Sequence, residues 1–357
     1  MKIIHCSDLH LDSKMETNLT ANKAQERKKE ILLTFENMAE YAFNNNVCVI
    51  IIAGDMFDCV RVSAITKNRI LNIIKKYNNI DFLYLSGNHD EDSLISQIGD
   101  IPNNLKLFSE EWYYHNYENV TIAGAKLNST NNALLYHTLA FNENNINIAI
   151  LHGQISKYDN KDFADLINIT KLKNKYINYL ALGHIHTYSK GRIDDRGIYC
   201  YSGCLEGRGS DECGKKGFVL LNIENDSIKD QFVPFAKRIM HEFYYDITGK
   251  NNWYDIEKSI SELIKSVSKD DLIRIVLTGK YKLELEKNID LFCTKLNNKY
   301  YFSKIKDEST LEIDPKVYEN DISLKGEFIR KVMSSDYSKQ EKDSIILCGI
   351  NALKGEE

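Results

Sequence analysis

Six short runs in this chain read as strands buried on both faces, and five of them lead straight into residues that seldom serve packing. KIIHCS (2–7), VCVIIIA (47–53), FLYLS (82–86), VTIA (120–123), NIAILH (147–152) and NYLALG (178–183) are β-branched or aromatic and are bounded by Gly, Asn or Asp. The five are closed by Asp8-Leu9-His10, Gly54-Asp55, Gly87-Asn88-His89-Asp90, His152-Gly153 and Gly183-His184-Ile185-His186. Between the first two runs, Ile31, Phe35, Met38 and Ala42 keep the three- and four-residue spacing of one helix face. A second helix, near residues 63–77 with Ile65, Ile70, Ile73 and Ile74 as its apolar residues, leads into the third run. Such alternation predicts an α/β core whose active site lies beyond the carboxyl ends of the strands, where the motifs fall.

After Gly183 the pattern turns to strands. IYCYS, GFVLLNIE and IKDQFVPF read as antiparallel strands completing a second sheet. Length, 357 residues, exceeds one compact domain, and a boundary is expected near Pro234. Domains are predicted at 1–235, at 236–322 as a β-α-β-α-β unit, and at 323–357 as a helical segment. In that last segment Phe328, Ile329 and Val332, then Ile345, Ile346, Ile350 and Leu353, lie at helical spacing. Hydrophobic residues at 43% and charged residues at 27% exclude a disordered or fibrous class. Eight cysteines without paired spacing suit reduced thiols. Cys200, Cys204 and Cys213 cluster, but without a fourth ligand they read as small buried or loop residues sooner than as a zinc site. No run is long enough to span a membrane and the start lacks a signal peptide's features, so no membrane association and a cytoplasmic location are expected. A net charge of -5 neither supports nor excludes a nucleic-acid substrate.

The motifs supply oxygen and nitrogen donors suited to cations. Asp8 and His10, two residues apart at a strand end, could both point one way from the sheet rim. Asp55 follows a strongly apolar strand, where packing does not call for a carboxylate, and is expected to bridge two cations. Asn88 offers a carbonyl, His152 an imidazole, and His184 and His186 two more. Singly, each has a structural reading, such as a capped helix start for Asn88 or a half-buried ring for His152. Together, in order and at strand ends, they describe a two-metal centre for phosphoester hydrolysis, which needs a strong nucleophile and relief of phosphoryl charge. Mixed donors without thiolate favour Mn(II), Fe or Zn over Mg(II), and manganese is expected. His89 would face the substrate, stabilise the transition state and protonate the leaving oxygen, with Asp90 orienting it. His5, Asp12 and Asp58 read as supporting or packing residues, and His115, His137 and His241 as surface or core histidines. The stretch GCLEGRGSDECGKKG (203–217), with Arg208, Lys215 and Lys216, suits either backbone approach to a phosphate chain or a mobile hairpin.

The order D-x-H, G-D, G-N-H-[DE], H and G-H-x-H resembles the calcineurin-like metallophosphoesterases over about the first 235 residues. The resemblance implies a four-layer α-β-β-α sandwich, with a small α+β capping domain and C-terminal helices appended. It implies one metal held by Asp8, His10, Asp55 and His186 and a second by Asp55, Asn88, His152 and His184, with Asp55 shared. HCSDLHLDS, GDMFD and YSGCLEGRGSDECGKKGFVLLNIE are similar to the DNA-repair exonuclease branch, the bacterial SbcD and YhaO-type nuclease subunits. That branch implies a Mn-dependent DNA exonuclease or endonuclease, a homodimer, and an SMC-like coiled-coil ATPase as partner. Asp58 stands where archaeal and eukaryotic relatives have a substrate-handling histidine, and Ser202 replaces the proline of a Y-P-G turn. Two alternatives stay open: a small-molecule phosphodiesterase or phosphatase, and a DNA-end-binding scaffold with weak cleavage.

Overall fold

The run VIIIA over Val49–Ala53 is buried at every residue, and its two faces belong to two different cores. Ile50 and Ile52 join one apolar cluster, while Val49, Ile51 and Ala53 join another, as the two-residue period of a strand requires. The computed structural model describes residues 1–15, 19–58, 62–88, 90, 101–158, 165–209 and 212–354. It divides into two compact units, Met1–Met240 and His241–Glu357.

The first unit runs β1 (Lys2–Cys6), α1 (Ala21–Asn44), β2 (Val49–Ala53), α2 (Ala64–Lys76), β3 (Asp81–Leu85), β4 (Leu105–Leu107), β5 (Tyr113–Tyr117), β6 (Val120–Gly124), α3 (Asn132–Thr138) and β7 (Ile146–His152). It continues with β8 (Gln154–Ser156), β9 (Leu166–Asn168), β10 (Tyr179–Gly183), β11 (Ser189–Arg192), β12 (Ile198–Tyr201), β13 (Gly217–Glu224) and β14 (Ser227–Pro234). Two six-stranded sheets form among the described residues, in the orders β14-β13-β1-β2-β3-β4 and β11-β12-β10-β7-β6-β5. β1 to β4 are mutually parallel, as are β6, β7, β10 and β12.

Ile3, Ile51 and Leu83 from one sheet and Ile122, Ile148, Ile150 and Ala181 from the other share the core between the sheets. Outside the first sheet lie Ile31, Phe35, Met38 and Ala42 of α1 and Ile70, Ile73 and Ile74 of α2. Outside the second lie Leu135 and Tyr136 of α3, against Ala149, Leu151, Leu180 and Leu182. The layers are therefore α-β-β-α, the order that the resemblance implies.

Three sequence expectations are corrected here. β13 and β14 join the first sheet, not the second: β13 pairs antiparallel with β1, Lys2 opposite Asn222 and Ile4 opposite Leu220. β1 would otherwise be an open edge, and the alternation of β13 fits both adjoining cores, with Val219, Leu221 and Ile223 on one side and Phe218 and Leu220 on the other. β5 (YYHNY) and β11 (SKGR) are edge strands that apolar patterning does not reveal: β11 is mostly exposed and β5 is an aromatic run of exposed and half-buried residues with no aliphatic side chain. Ile65 is 81% exposed. Five residues before Ile70 on a 3.6-residue helix, it is turned about 140° from that face.

The second unit comprises β15 (Met240–Asp246), α4 (Trp253–Leu263), β16 (Leu272–Thr278), β17 (Lys280–Lys282), α5 (Ile289–Asn297), β18 (Phe302–Asp307), β19 (Thr310–Glu312), α6 (Pro315–Tyr318), α7 (Leu324–Met333) and α8 (Lys339–Lys354). β15, β16 and β18 form a sheet. Ile329 and Val332 of α7 and Ile346 and Ile350 of α8 share one core with Ile256, Ile260, Ile273 and Ile275. No helix among the described residues is long and apolar enough to cross a membrane.

Candidate metal centre

Past the carboxyl ends of β1 and β2 the two chain segments keep running side by side. Asp8 N–H donates to Gly54 C=O at 3.0 Å, His10 N–H to Asp55 C=O at 3.0 Å and Leu11 N–H to Met56 C=O at 2.8 Å. Asp8, His10, Asp55 and His184 all sit in the left-handed region, with φ of 52°, 46°, 50° and 98°. The expected extended Asp-x-His pair is thus corrected: the chain curls at both residues so that these bonds form while Leu9 and Leu11 stay buried. Such backbone costs about 1–3 kcal/mol per non-glycine residue, least for Asp and His. Two glycines let the loops close on one another. A Cβ on Gly54 would lie 2.0 Å from His152 Nδ1, and one on Gly87 2.1 Å from Asp55 Oδ1.

The first sheet supplies Asp8, His10, Asp55 and Asn88, and the second supplies His152, His184 and His186. Asp8, His10 and His186 offer donor atoms within 4.8 Å of one another, and so do Asp8, Asp55 and His152. His10 Nε2 is 3.1 Å from His186 Nε2, and His152 Nε2 is 2.9 Å from Asn88 Oδ1. Asp55 Oδ2 lies 3.4 Å from His152 Nε2 and 4.0 Å from His10 Nε2, between the two groups. The His184 ring stands edge-on to His152, centroids 5.5 Å apart, and its backbone N–H donates to Asp8 Oδ1 at 2.9 Å. Asp8 also accepts from Ser7 Oγ, which in turn lies 2.8 Å from Ser202 Oγ, the serine in the proline's place. Asp8, His10, Asp55 and His152 are buried, and carboxylates and imidazoles packed this closely are costly unless something positive joins them. Neutral rings, carboxylates and a carbonyl are donors that fit divalent cations of the Mn, Fe or Zn kind.

The surroundings shift three of the rings, His152, His184 and His186, in different directions. Burial favours neutral His152, but the adjoining Asp55 carboxylate outweighs it and pushes His152 up to about 9. His184 goes the other way, lowered by burial and by His152. His186 is raised, because a hydrogen bond from its Nδ1 to Glu212 outweighs burial. Glu212 itself is buried, yet His186 and Arg208 hold it well below the ordinary carboxylate range.

Asp90 is buried and accepts from the N–H groups of Met56 at 2.9 Å, Phe57 at 2.7 Å and Gly87 at 3.2 Å. It ties the loop after β3 to the loop after β2, and burial raises its carboxyl despite these donors. His89 lies outside the described residues. His5 is a packing residue, its Nδ1 2.9 Å from Tyr179 Oη, and Asp12 accepts from Ser63 N–H ahead of α2. His241 pairs with Asp271 in the second unit. Cys200 and Cys204 are buried free thiols, and no cysteine joins a metal-holding group among the described residues. Sequence reasoning missed Glu212, placed Arg208 in a stretch suited to a phosphate chain or a hairpin, and read Asp58 as a supporting or packing residue, which its 3.2 Å approach to His10 Nδ1 fits. All three stand around His10 and His186. For Arg208 and Glu212 the sequence signal is a charge placed among glycines, which periodicity does not register.

A family model described as Calcineurin-like phosphoesterase matches residues 1–198. The chain is similar to the DNA double-strand break repair protein Mre11 of Sulfolobus acidocaldarius, 25% identical over 363 residues that cover 95% of this chain and 87% of that one. It is similar to the uncharacterised metallophosphoesterase YhaO of Bacillus subtilis, 23% identical over 296 residues, 78% of this chain and 72% of that one. Among solved structures it is similar to a dimetal phosphatase from Danio rerio, with a TM-score of 0.44 and 9% identity, covering 66% of this chain and 99% of that one. The matched stretch holds all five motifs and more than half of the chain, which therefore belongs to the calcineurin-like phosphoesterase family and is a metal-dependent phosphodiesterase.

Proposed function

We propose that this phosphodiesterase acts on DNA, as a Mn(II)-dependent nuclease subunit of a DNA-repair assembly. The observation that carries the two-metal part is the position of Asp55, whose Oδ2 lies within 4.0 Å of histidines from both donor groups. One ion is assigned to Asp8, His10, Asp55 and His186, the other to Asp55, Asn88, His152 and His184. Bound divalent cations would lower the pKa of a bridging water and offset charge on the phosphoryl oxygens. The protein's own residues do the rest. The left-handed loops fix the buried Asp8 and Asp55 carboxylates, and His89 protonates the leaving oxygen. Asp90 acts through the backbone amides it holds, keeping the Asn88 loop against the Asp55 loop.

DNA as substrate is supported by the repair-protein relative, whose similarity spans 95% of the chain and so takes in the second unit as well. That unit is assigned a part in binding DNA, and the assembly is assigned a homodimer, an SMC-like ATPase partner and a cytoplasmic location. End-labelled duplex and hairpin DNA, incubated with Mn(II) or Mg(II), tests the substrate. Cleavage with Mn(II) that disappears in Asp55→Ala and His89→Ala is expected. Hydrolysis of an aryl phosphodiester by a protein that leaves single- and double-stranded DNA intact at low salt would overturn it.

A further inference from the structure

His10 and His186 meet edge to face, their planes 72° apart, and a carboxylate holds the far nitrogen of each. His10 Nδ1 is 3.2 Å from Asp58 Oδ1, and His186 Nδ1 is 2.8 Å from Glu212 Oε1. The two acids come from loops far apart in the chain, one after β2 and one in the glycine-rich stretch, and a single guanidinium joins them. Arg208 Nη1 lies 3.2 Å from Asp58 Oδ2. Its Nη2 and Nε donate to Glu212 Oε1 at 2.8 and 3.1 Å, and its backbone N–H donates to Glu212 Oε2 at 2.6 Å. Histidine, acid, arginine, acid and histidine thus close a ring behind one half of the site. The other half is held differently, since the far nitrogen of His152 lies 2.9 Å from the backbone oxygen of Ala53.

The arm that carries Arg208 is fixed at its base. Two residues upstream, buried Glu206 accepts from Arg27 Nη2 at 3.0 Å and Thr34 Oγ1 at 2.9 Å, both on α1, and Arg27 Nη2 also donates to Gly207 C=O at 2.7 Å. Downstream, Lys216 Nζ donates to His186 C=O at 2.7 Å. A planar, permanently charged fork can serve two carboxylates at once, which the point charge of lysine does not do.

We propose that Arg208 is a positioning residue that, through Asp58 and Glu212, sets the His10–His186 pair for one of the two divalent cations and leaves the other site alone. This rests on the ligand assignment proposed above. A histidine's outer partner fixes its tautomer and ring orientation, and losing such a partner costs about 10–100-fold in metal affinity. Arg208 Nη2 also lies 3.5 Å from His186 Nδ1, the nitrogen turned from His10, so the effect is read in metal binding.

The test is a Mn(II) titration of the full-length, metal-free protein, followed by electron paramagnetic resonance, for wild type, Arg208→Ala, Arg208→Lys and Glu212→Gln. Wild type takes up two ions that give an exchange-coupled spectrum. In Arg208→Ala one dissociation constant rises about 10–100-fold and the other is unchanged, so at equimolar loading the spectrum is that of isolated Mn(II). Glu212→Gln weakens the same site, and Arg208→Lys, able to pair with one acid at a time, falls in between. Two unchanged constants in Arg208→Ala, or equal losses at both sites, overturn the proposal. Should Arg208→Ala fail to fold by circular dichroism, Arg208→Lys and Glu212→Gln decide by the same criterion. A wild type that binds fewer than two ions overturns the two-metal reading itself, a separate result.

Discussion

Gly87→Ala is the most economical attack on the centre, because it adds one methyl group and removes nothing. The new Cβ would stand 2.1 Å from Asp55 Oδ1 and 2.5 Å from Asp55 N, where real contacts do not fall below 3.0 Å. The carboxylate must give way by about 0.9 Å and the backbone by about half that. The backbone cannot move alone, since Asp55 C=O accepts from His10 N–H at 3.0 Å. Displacement of a reacting group by about 1 Å costs on the order of 100-fold in rate, or about 2.7 kcal/mol of transition-state stabilisation. Overpacking adds about 1–3 kcal/mol of destabilisation. The assay is kcat/KM on bis(p-nitrophenyl) phosphate at saturating Mn(II), with thermal melts alongside. Gly249→Ala is the control: its φ is +73° and nothing lies within 4 Å of the added Cβ, so strain is introduced in the second unit without a clash. A Gly87→Ala enzyme of wild-type activity would refute the claim that the Asn88 loop closes directly on Asp55.

Arg27→Ala strips Glu30 and Glu206 of a buried partner, and denaturant melts should show a loss of about 3–5 kcal/mol; a loss below about 1 kcal/mol, the range of a surface pair, would place this network among the inert ones. For metal-free protein, His152 rises from an ordinary 6.5 to about 9. Its contribution is fully present below pH 6.5 and disappears as pH climbs through 9. The melting temperature of metal-free protein should therefore fall between pH 7 and 9.5, by an amount equivalent to about 3 kcal/mol, and a flat or rising profile would contradict this. Mn(II) needs the neutral ring, so its affinity should rise over the same interval. Ile65→Glu, at a residue 81% exposed, should leave monomer stability within about 0.5 kcal/mol. Light scattering then asks whether α2 carries the proposed dimer, which should dissociate in this variant; a persisting dimer removes α2 from that role.

Strands buried on both faces announce themselves because nothing polar interrupts them, and β1, β2, β3, β6, β7 and β10 fall within a residue or two of where their apolar runs put them. The same rule hides the edge strands β5 and β11, of which β11 is mostly exposed and β5 only half-buried, so that neither carries a continuous apolar run. β13 was legible as a strand but not as a neighbour of β1, because pairing over more than 200 residues of separation is decided by which edge is open, not by local composition. At the centre, the donor residues were readable as types at strand ends, yet the left-handed turn of Asp8, His10 and Asp55 was not. It arises from hydrogen bonds between two loops that only the folded sheet brings together. Arg208 and Glu212 escaped for a related reason: their task is defined by what stands opposite them.

Because the donors rise from two sheets that touch through Ile51, Leu83, Ile148 and Ala181, a cation bound among them would tie the sandwich across its own midline. Folding and metal uptake are then one linked equilibrium. Ion held at 100 times its dissociation constant adds about 2.7 kcal/mol to the folded state, and a cavity cut between the sheets surfaces first as weakened metal binding. The interior of the sandwich, far from any phosphate, would thus act as a calibration for the chemistry at its rim, and variation there would tune the enzyme without altering a single ligand.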